Sequence, residues 1–256
     1  MTGAFSCIFL SAASPELIFS MGGNSMPCYN CNEYKSFTIT DSVYNLYSDN
    51  DLRKTKYLWT CGHFHGYTKS PMIAVDLQQQ PTDVEYYVNA YNNASNFNQF
   101  DVSDKFCFRS AEAYLNLAEA EAYLGHEAEA RQALNTLRAQ RYATGADYQV
   151  TATGNALIRT IRNERERELC LEGHRWFDLR RYRVCQVDPE KKSITHHYYY
   201  YESRTSTTRT SLHTFTLSPD DWGWVLPIPQ EVLDINRGMT NNERGTRTYT
   251  VTAIDN

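Results

Sequence analysis

The clearest periodicity of apolar and polar positions lies in the middle of the chain. Between positions 109 and 124 the sequence has no Gly or Pro, and apolar residues recur every three or four positions at Ala111, Leu115, Ala118 and Ala122. After Gly125, which suits a helix C-cap, a second run from 127 to 142 has one apolar face, formed by Ala130, Ala133, Leu134 and Leu137. These stripes predict an antiparallel helix pair of the tetratricopeptide type, whose small alanines allow close approach. A single pair cannot bury its own faces, so we expect a partner in a missing N-terminal part or in another chain.

A third apolar stripe predicts a helix from 155 to 171 and then becomes charged. Leu157, Ile158 and Ile161 begin the stripe, which continues through Arg165, Glu168 and Glu172. Because an isolated buried charge is very costly, we expect i,i+3 pairing of Glu164 with Arg167 and of Arg165 with Glu168. A general acid at Glu164 or Glu168 is the functional alternative. A short fourth helix, 174–183, would be anchored by Trp176, Phe177 and Leu179.

The remaining segments carry weaker patterns. Positions 14–20 resemble a strand, 41–47 a short helix, and 184–218, with its run from His196 to Tyr201, a loop or hairpin. Pro229 suits the first turn of a helix ending at Ile235. We therefore expect a mainly α fold with long irregular loops and a few short strands. It divides into a loop-rich part, 1–107, a helical part, 108–183, and a loop, hairpin and extended part, 184–256.

Composition narrows the class of protein. The 256 residues are 41% hydrophobic and 21% charged, which is typical of a globular chain. A net charge of −5 argues against nucleic-acid binding, and no apolar stretch reaches the roughly 18–20 residues of a membrane-spanning helix. The 19 tyrosines indicate a contact surface, because tyrosine combines an apolar ring with a hydrogen-bonding tip.

Three spacings could hold a metal ion, and none has a complete ligand set. Cys28 and Cys31 form a single C-x-x-C motif, which could also be a redox pair or a structural bridge. Cys61, His63 and His65 alternate as they would on one face of a strand. Asp49 and Asp51 could help to bind calcium, although a turn with solvated charges is the favoured interpretation. We expect no metal and no cofactor.

An ordered set of motifs resembles the C-terminal half of the SusD/RagB family of glycan-capture lipoproteins. The set consists of 109–115 RSAEAYL, 117–120 LAEA, 133–138 ALNTLR, 161–169 IRNEREREL, 172–181 EGHRWFDLRR and 226–229 LPIP. Upstream, Leu46 and Tyr47 with the Asp51-Leu52-Arg53 triplet are similar to a further family segment. The resemblance covers about residues 15–240. The family's leader, anchor cysteine and N-terminal repeats have no counterpart here, and 241–245 NNERG replaces its usual ending.

The resemblance implies a SusD-like, α–α superhelical fold and a non-catalytic role. Family members lie on the outer membrane, exposed at the cell surface, and pass oligosaccharides or polysaccharides to a SusC-type TonB-dependent transporter. Variable loops bind the ligand, so no family site transfers by motif. Trp176, Phe177, Trp222 and Trp224 lie within or beside family motifs, and we expect them in the core.

Aromatic segments before the helices are the expected glycan site. Sugars stack their C–H faces on exposed rings and receive hydrogen bonds from amides and charged groups. The expected contact residues fall in the segment 57–67 and in the loop 86–93, and they are Tyr57, Trp59, His63, Phe64, Tyr67, Tyr87, Asn89 and Tyr91. Core packing is the alternative for each ring. Two other functions are a helical-repeat scaffold that binds only protein and a hydrolase with paired carboxylates.

Overall fold

The computed structural model describes residues 16–19, 39–56, 58–60, 67–69, 108–170, 172–203, 206, 208–246 and 248–254. The chain forms two compact units, 1–175 and 176–256. Among the helices that the structure describes, none has both the length and the apolar character that crossing a bilayer requires.

The first unit begins with short strands and two short helices, and the strands pair in antiparallel ribbons. They are β1 (Leu17–Phe19), α1 (Asp41–Tyr44), α2 (Leu52–Lys56), β2 (Leu58–Thr60), β3 (Tyr67–Lys69) and β4 (Phe108–Arg109). β1 pairs with β4, and β2 pairs with β3. The strand expected at 14–20 and the helix expected from 41 are both present. Thr40 begins that helix, because its side chain accepts from the backbone N–H of Val43.

Three longer helices carry the apolar core of the first unit. They are α3 (Ser110–Tyr123), α4 (Glu127–Arg138) and α5 (Gly154–Glu168). The expected alanine and leucine stripes meet in one cluster, and Leu115, Leu157 and Ile161 are fully buried there. Gly125 has a positive φ of 82° in the turn between α3 and α4, a conformation that costs glycine little. The helix pair predicted from the periodicity is confirmed.

The second helix of the pair is shorter than the sequence pattern predicts. It ends at Arg138 rather than near Tyr142, because the chain beyond it forms hydrogen bonds with an earlier segment. Leu52 donates its backbone N–H to the carbonyl of Arg141 at 2.8 Å, and Ala143 donates to Asn50 at 2.9 Å. These bonds bring residues 139–143 into an antiparallel bridge with the start of α2, and a continued helix could not make them.

The second unit contains a short helix followed by a three-stranded antiparallel sheet. Its elements are α6 (Arg175–Val184), β5 (Ile194–Tyr201), β6 (Arg209–Leu217), a 3₁₀ turn (Trp222–Trp224), α7 (Gln230–Ile235) and β7 (Tyr249–Ala253). The strand order is β5-β6-β7. The hairpin expected within 184–218 is therefore present, and β7 adds a third strand that the sequence pattern did not indicate.

Two aromatic residues that we expected in the core lie at the surface. Phe177 is 65% exposed and Trp222 is 64% exposed. On α6 the buried residues are Asp178, Leu179 and Tyr182, so the inward face excludes position 177. In the 3₁₀ turn it is Trp224 that is buried, stacked on Trp176 with ring centroids 5.2 Å apart. The expected core position is confirmed for Trp224 and is wrong for Phe177 and Trp222.

Candidate functional site

Charged residues on the buried stripe of α5 meet arginines from distant segments. Arg53 places Nη1 2.6 Å from Glu164 Oε1 and 2.7 Å from Glu168 Oε2, and all three side chains are fully buried. Asp51 binds the other edge of the Arg53 guanidinium group, accepting hydrogen bonds from Nε at 2.9 Å and from Nη2 at 2.7 Å. Such a two-bond carboxylate–guanidinium pair fixes orientation as well as charge. Asp51 and Arg53 of the family motif are therefore part of the core.

Glu168 accepts hydrogen bonds from three buried arginines. Besides Arg53, it accepts from Arg109 Nη1 at 2.6 Å and from Arg141 Nε and Nη2, each at 3.0 Å. Arg141 and Arg109 also reach Glu16, at 2.6 Å and 3.3 Å. We call the cluster formed by Asp51, Arg53, Arg109, Arg141, Glu164 and Glu168 the ionic core.

One of the two ion pairs expected within the helix, that of Glu164 with Arg167, is confirmed. Glu164 accepts from Arg167, three residues further along α5, and from Arg138 Nη1 of α4 at 2.5 Å. Arg167 also donates to the carbonyl of Leu46 at 2.9 Å, while Tyr47 donates its hydroxyl to the carbonyl of Arg167 at 2.7 Å. The Leu46-Tyr47 motif thereby attaches the segment before α2 to α5.

The ionic core keeps its carboxylates charged. Burial opposes ionisation of Glu164, but the guanidinium groups of Arg53, Arg167 and Arg138 outweigh burial and lower its pKa from 4.5 to about 2. Burial likewise opposes ionisation of Glu168, and Arg141, Arg109 and Arg53 hold its pKa well below the usual value. A general acid must be protonated and must reach its substrate. Both glutamates are fully buried and ionised, so the structure favours the ion-pair network over the general acid.

The acidic pair considered for calcium has a different role. Asp49 is exposed and accepts from Lys54 Nζ at 2.6 Å, while Asp51 is buried against Arg53. The expected solvated turn therefore holds for Asp49 and is wrong for Asp51. In the described parts of the chain, His, Cys, Asp and Glu side chains do not form a group of three that could hold a metal ion.

Two of the eight expected glycan contacts fall on described backbone. Trp59 lies in β2 and Tyr67 in β3, and the register pairs Trp59 with Thr68 and Thr60 with Tyr67. The two positions are thus diagonal on one antiparallel ribbon and fall on its opposite faces, because successive residues of a strand alternate between faces. The others lie outside the described residues, and they are Tyr57, His63, Phe64, Tyr87, Asn89 and Tyr91. Cys28, Cys31, Cys61 and His65 lie outside them as well.

An exposed aromatic surface on the second unit was not anticipated as a site. The register pairs Tyr198 with His213 and Phe215 with Tyr249, which places these rings and Tyr200 on one face of the sheet. We call these five residues the aromatic face. Its tyrosines and Phe215 are each between 42% and 53% exposed. The run of two histidines and four tyrosines at 196–201 favours a strand and could have indicated it, although the partners on β6 and β7 depend on register.

The aromatic rings form a continuous series across the three strands. Tyr198 and Tyr200 meet edge to face with centroids 5.0 Å apart, and Tyr200 lies 4.4 Å from His213. The ring of Tyr249 stacks on His213 at 5.3 Å and on Phe215 at 5.0 Å. Each ring therefore restricts its neighbours, while about half of each tyrosine remains open to solvent.

These features define the class of protein, a mainly helical scaffold with a buried ionic core and aromatic surface segments. A sequence profile of the SusD family matches residues 84–245, and the chain belongs to this family. The resemblance given by the motifs is thereby confirmed. Several of the motif residues, among them Arg109 and Glu168, are members of the ionic core.

Solved structures share the fold, and this chain spans about half or less of the length of the relatives it matches. SusD-like protein P25 from Formosa agariphila is 29% identical over 146 residues, which make up 57% of this chain and 24% of that protein. The solved structure of surface glycan-binding protein A from Bacteroides uniformis has a TM-score of 0.56 at 20% identity, covering 94% of this chain and 52% of that one. A SusD-like carbohydrate binding protein from Bacteroides vulgatus has a TM-score of 0.52 at 18% identity, covering 90% and 49%. The mainly helical, SusD-like fold expected from the sequence is confirmed.

Proposed function

We propose that the protein binds oligosaccharide or polysaccharide at the cell surface without catalysis and presents it for uptake. Membership of the SusD family is the observation that carries this function. The surface glycan-binding protein of Bacteroides uniformis, which shares the fold, supports it. The proposal places the protein at the outer membrane, beside a SusC-type TonB-dependent transporter.

The proposed binding residues are the aromatic segments that precede α3. Trp59 and Tyr67 lie on the β2–β3 ribbon, one on each of its faces. In the sequence the other six expected contacts fall at 57–64 and 87–91. Within this proposal, 1–107 is the ligand-facing part, 108–183 the support, and 184–256 a further part of the same domain. Individual hydrogen bonds contribute only about 1 kcal/mol, so we expect micromolar to millimolar affinity, about −8 to −4 kcal/mol.

The ionic core supports a role without catalysis. A hydrolase with paired carboxylates needs one protonated acid beside one ionised group. Glu164 and Glu168 are both buried, both ionised and both surrounded by guanidinium groups. Because both carboxylates are buried and paired with arginines, this pair presents no free carboxylate to a polysaccharide.

The test replaces one proposed contact and one matched tryptophan. Trp59→Ala should weaken binding of a neutral oligosaccharide about tenfold in calorimetry, because an aromatic platform is lost. Trp222→Ala removes an exposed tryptophan from the second unit and should leave binding unchanged. Both variants should keep the circular dichroism spectrum of the parent. Unchanged affinity in Trp59→Ala would remove that residue from the site.

A protein-binding scaffold remains the second candidate function, and one observation favours it. Tyr114 and Leu117 on the outward side of α3, and Leu124 at its C-cap, are exposed. They form an apolar strip that a helix of another protein could cover. A glycan array without a single hit, together with loss of a protein partner in Leu117→Ser, would favour this function over glycan binding.

A further inference from the structure

The aromatic face has the properties of a prebuilt binding surface. Four of its rings remain about half exposed while packing against one another. Rings that neighbouring rings already hold lose little conformational freedom when a ligand binds, and such preorganisation favours affinity. A ligand lying across the three strands meets a new aromatic row about every 4.8 Å, which is comparable to the length of one pyranose residue.

The chemistry of the face indicates an uncharged ligand. None of the strand positions that the register places on this face carries an Asp, Glu, Lys or Arg side chain. The nearby cation, Arg209, lies over the ring of Tyr199, 3.9 Å from its centroid, and Tyr199 belongs to the opposite face. The tyrosine hydroxyls and the imidazole of His213 supply polar groups beside the apolar rings. Stacking surfaces edged by neutral hydrogen-bonding groups suit the C–H faces and hydroxyls of sugars.

We infer that the aromatic face is a carbohydrate-binding surface for neutral oligosaccharide, additional to the segment around Trp59. This inference rests on the proposed function and deepens it, since it assigns a second contact for the same class of ligand on the other compact unit. Tyr198, Tyr200 and Tyr249 provide the stacking surface, and His213 and Phe215 hold them in place. Two weak contacts on one chain retain a long polysaccharide better than either contact alone.

The test compares the two faces of the same sheet. The double variant Tyr198→Ala/Tyr249→Ala removes rings from the aromatic face, and Tyr199→Ala/Thr250→Ala changes the adjacent positions on the opposite face. Native affinity gels containing laminarin, xyloglucan, galactomannan or soluble starch serve as neutral probes, and polygalacturonate serves as the anionic probe. On the neutral polysaccharide that retards the parent chain, the aromatic-face variant should lose about tenfold in affinity and the control should match the parent. Tyr198→Phe/Tyr249→Phe should keep most of the binding, because the rings remain.

The outcomes separate this inference from the proposed function. A parent that binds, a Trp59→Ala variant that binds more weakly and an aromatic-face variant that matches the parent would overturn the inference and leave the function standing. A parent that none of the polysaccharides retards would overturn the function, and the inference with it. Loss confined to polygalacturonate would contradict the neutral class of ligand. A dimer seen by light scattering, and separated by the aromatic-face variant, would assign the face to a second copy of this chain.

Discussion

The arrangement of charges around Glu168 explains why a family motif contains so many ionisable residues. One carboxylate accepts hydrogen bonds from Arg53, Arg109 and Arg141, all of which are almost fully buried. If one member of such a group is removed, its partners remain charged and buried. Water cannot reach them to replace the lost counter-charge, so the loss is costly. The interaction therefore matters more through the cost of breaking it than through its net contribution.

Glu168→Gln should destabilise the first unit by about 3–5 kcal/mol, because three buried guanidinium groups lose their shared negative charge. Urea unfolding followed by far-ultraviolet circular dichroism measures this change. Glu121→Gln is the matched control, since Glu121 pairs with the largely exposed His126, and it should change stability by less than about 0.5 kcal/mol. Equal effects of the two substitutions would contradict the buried role of Glu168.

At the scale of elements, small residues decide how closely the helices pack. Ala118 of α3 and Ala130 of α4 are fully buried in the same cluster, whereas Ala120 of α3 is exposed. The sequence pattern alone assigns Ala118 to the buried side of α3 and Ala120 to its exposed side, because the face of a helix on which a residue lies follows from spacing along the chain. It did not indicate the end of α4, which depends on hydrogen bonds with residues 50–52.

Ala118→Leu should destabilise the helix pair by about 1–3 kcal/mol, since a packed interface has no room for the larger side chain. Ala120→Leu introduces the same side chain on the solvent side of the same helix, where leucine is tolerated nearly as well as alanine. Thermal unfolding of the two variants should therefore diverge, with the loss confined to Ala118→Leu. A similar melting temperature for both would mean that α3 and α4 do not pack through these alanines.

The three-stranded sheet shows what sequence reasoning missed at this scale. The tyrosine-rich run 196–201 favours a strand, but the aromatic face exists only because β6 and β7 align Phe215 with Tyr249. A register shift of one residue in one strand would place that strand's rings on the opposite side and break up the aromatic face. The face is therefore a property of strand pairing.

For the whole first unit, the ionic core joins segments that are far apart in the chain. Arg53 lies 115 residues from Glu168, and Arg141 lies 125 residues from Glu16. Ionisation of the core is therefore linked to folding of this unit. Groups with a lowered pKa contribute stability above their unfolded pKa, and this contribution is lost as pH falls through the folded value.

The first unit should lose stability as the solution is acidified from about pH 5 towards pH 2. Glu164 alone accounts for roughly 3 kcal/mol of this loss, given a folded pKa of about 2 against 4.5, and Glu168 acts in the same direction. Urea unfolding at a series of pH values measures the slope, which Glu164→Gln should reduce. Glu129→Gln, on the exposed side of α4, should leave the slope unchanged. A stability that stays level over this range would contradict the paired state of Glu164.

The sequence by itself determined the helix stripes, the turn at Gly125 and the family motifs. Each of these is encoded in residues a few positions apart, where local geometry sets the spacing. Only the tertiary structure decided which arginines neutralise Glu168, where α4 ends, that Phe177 and Trp222 lie outside, and which rings share the aromatic face. Those features depend on pairing between residues far apart in the chain, and spacing along one segment carries no information about such pairs.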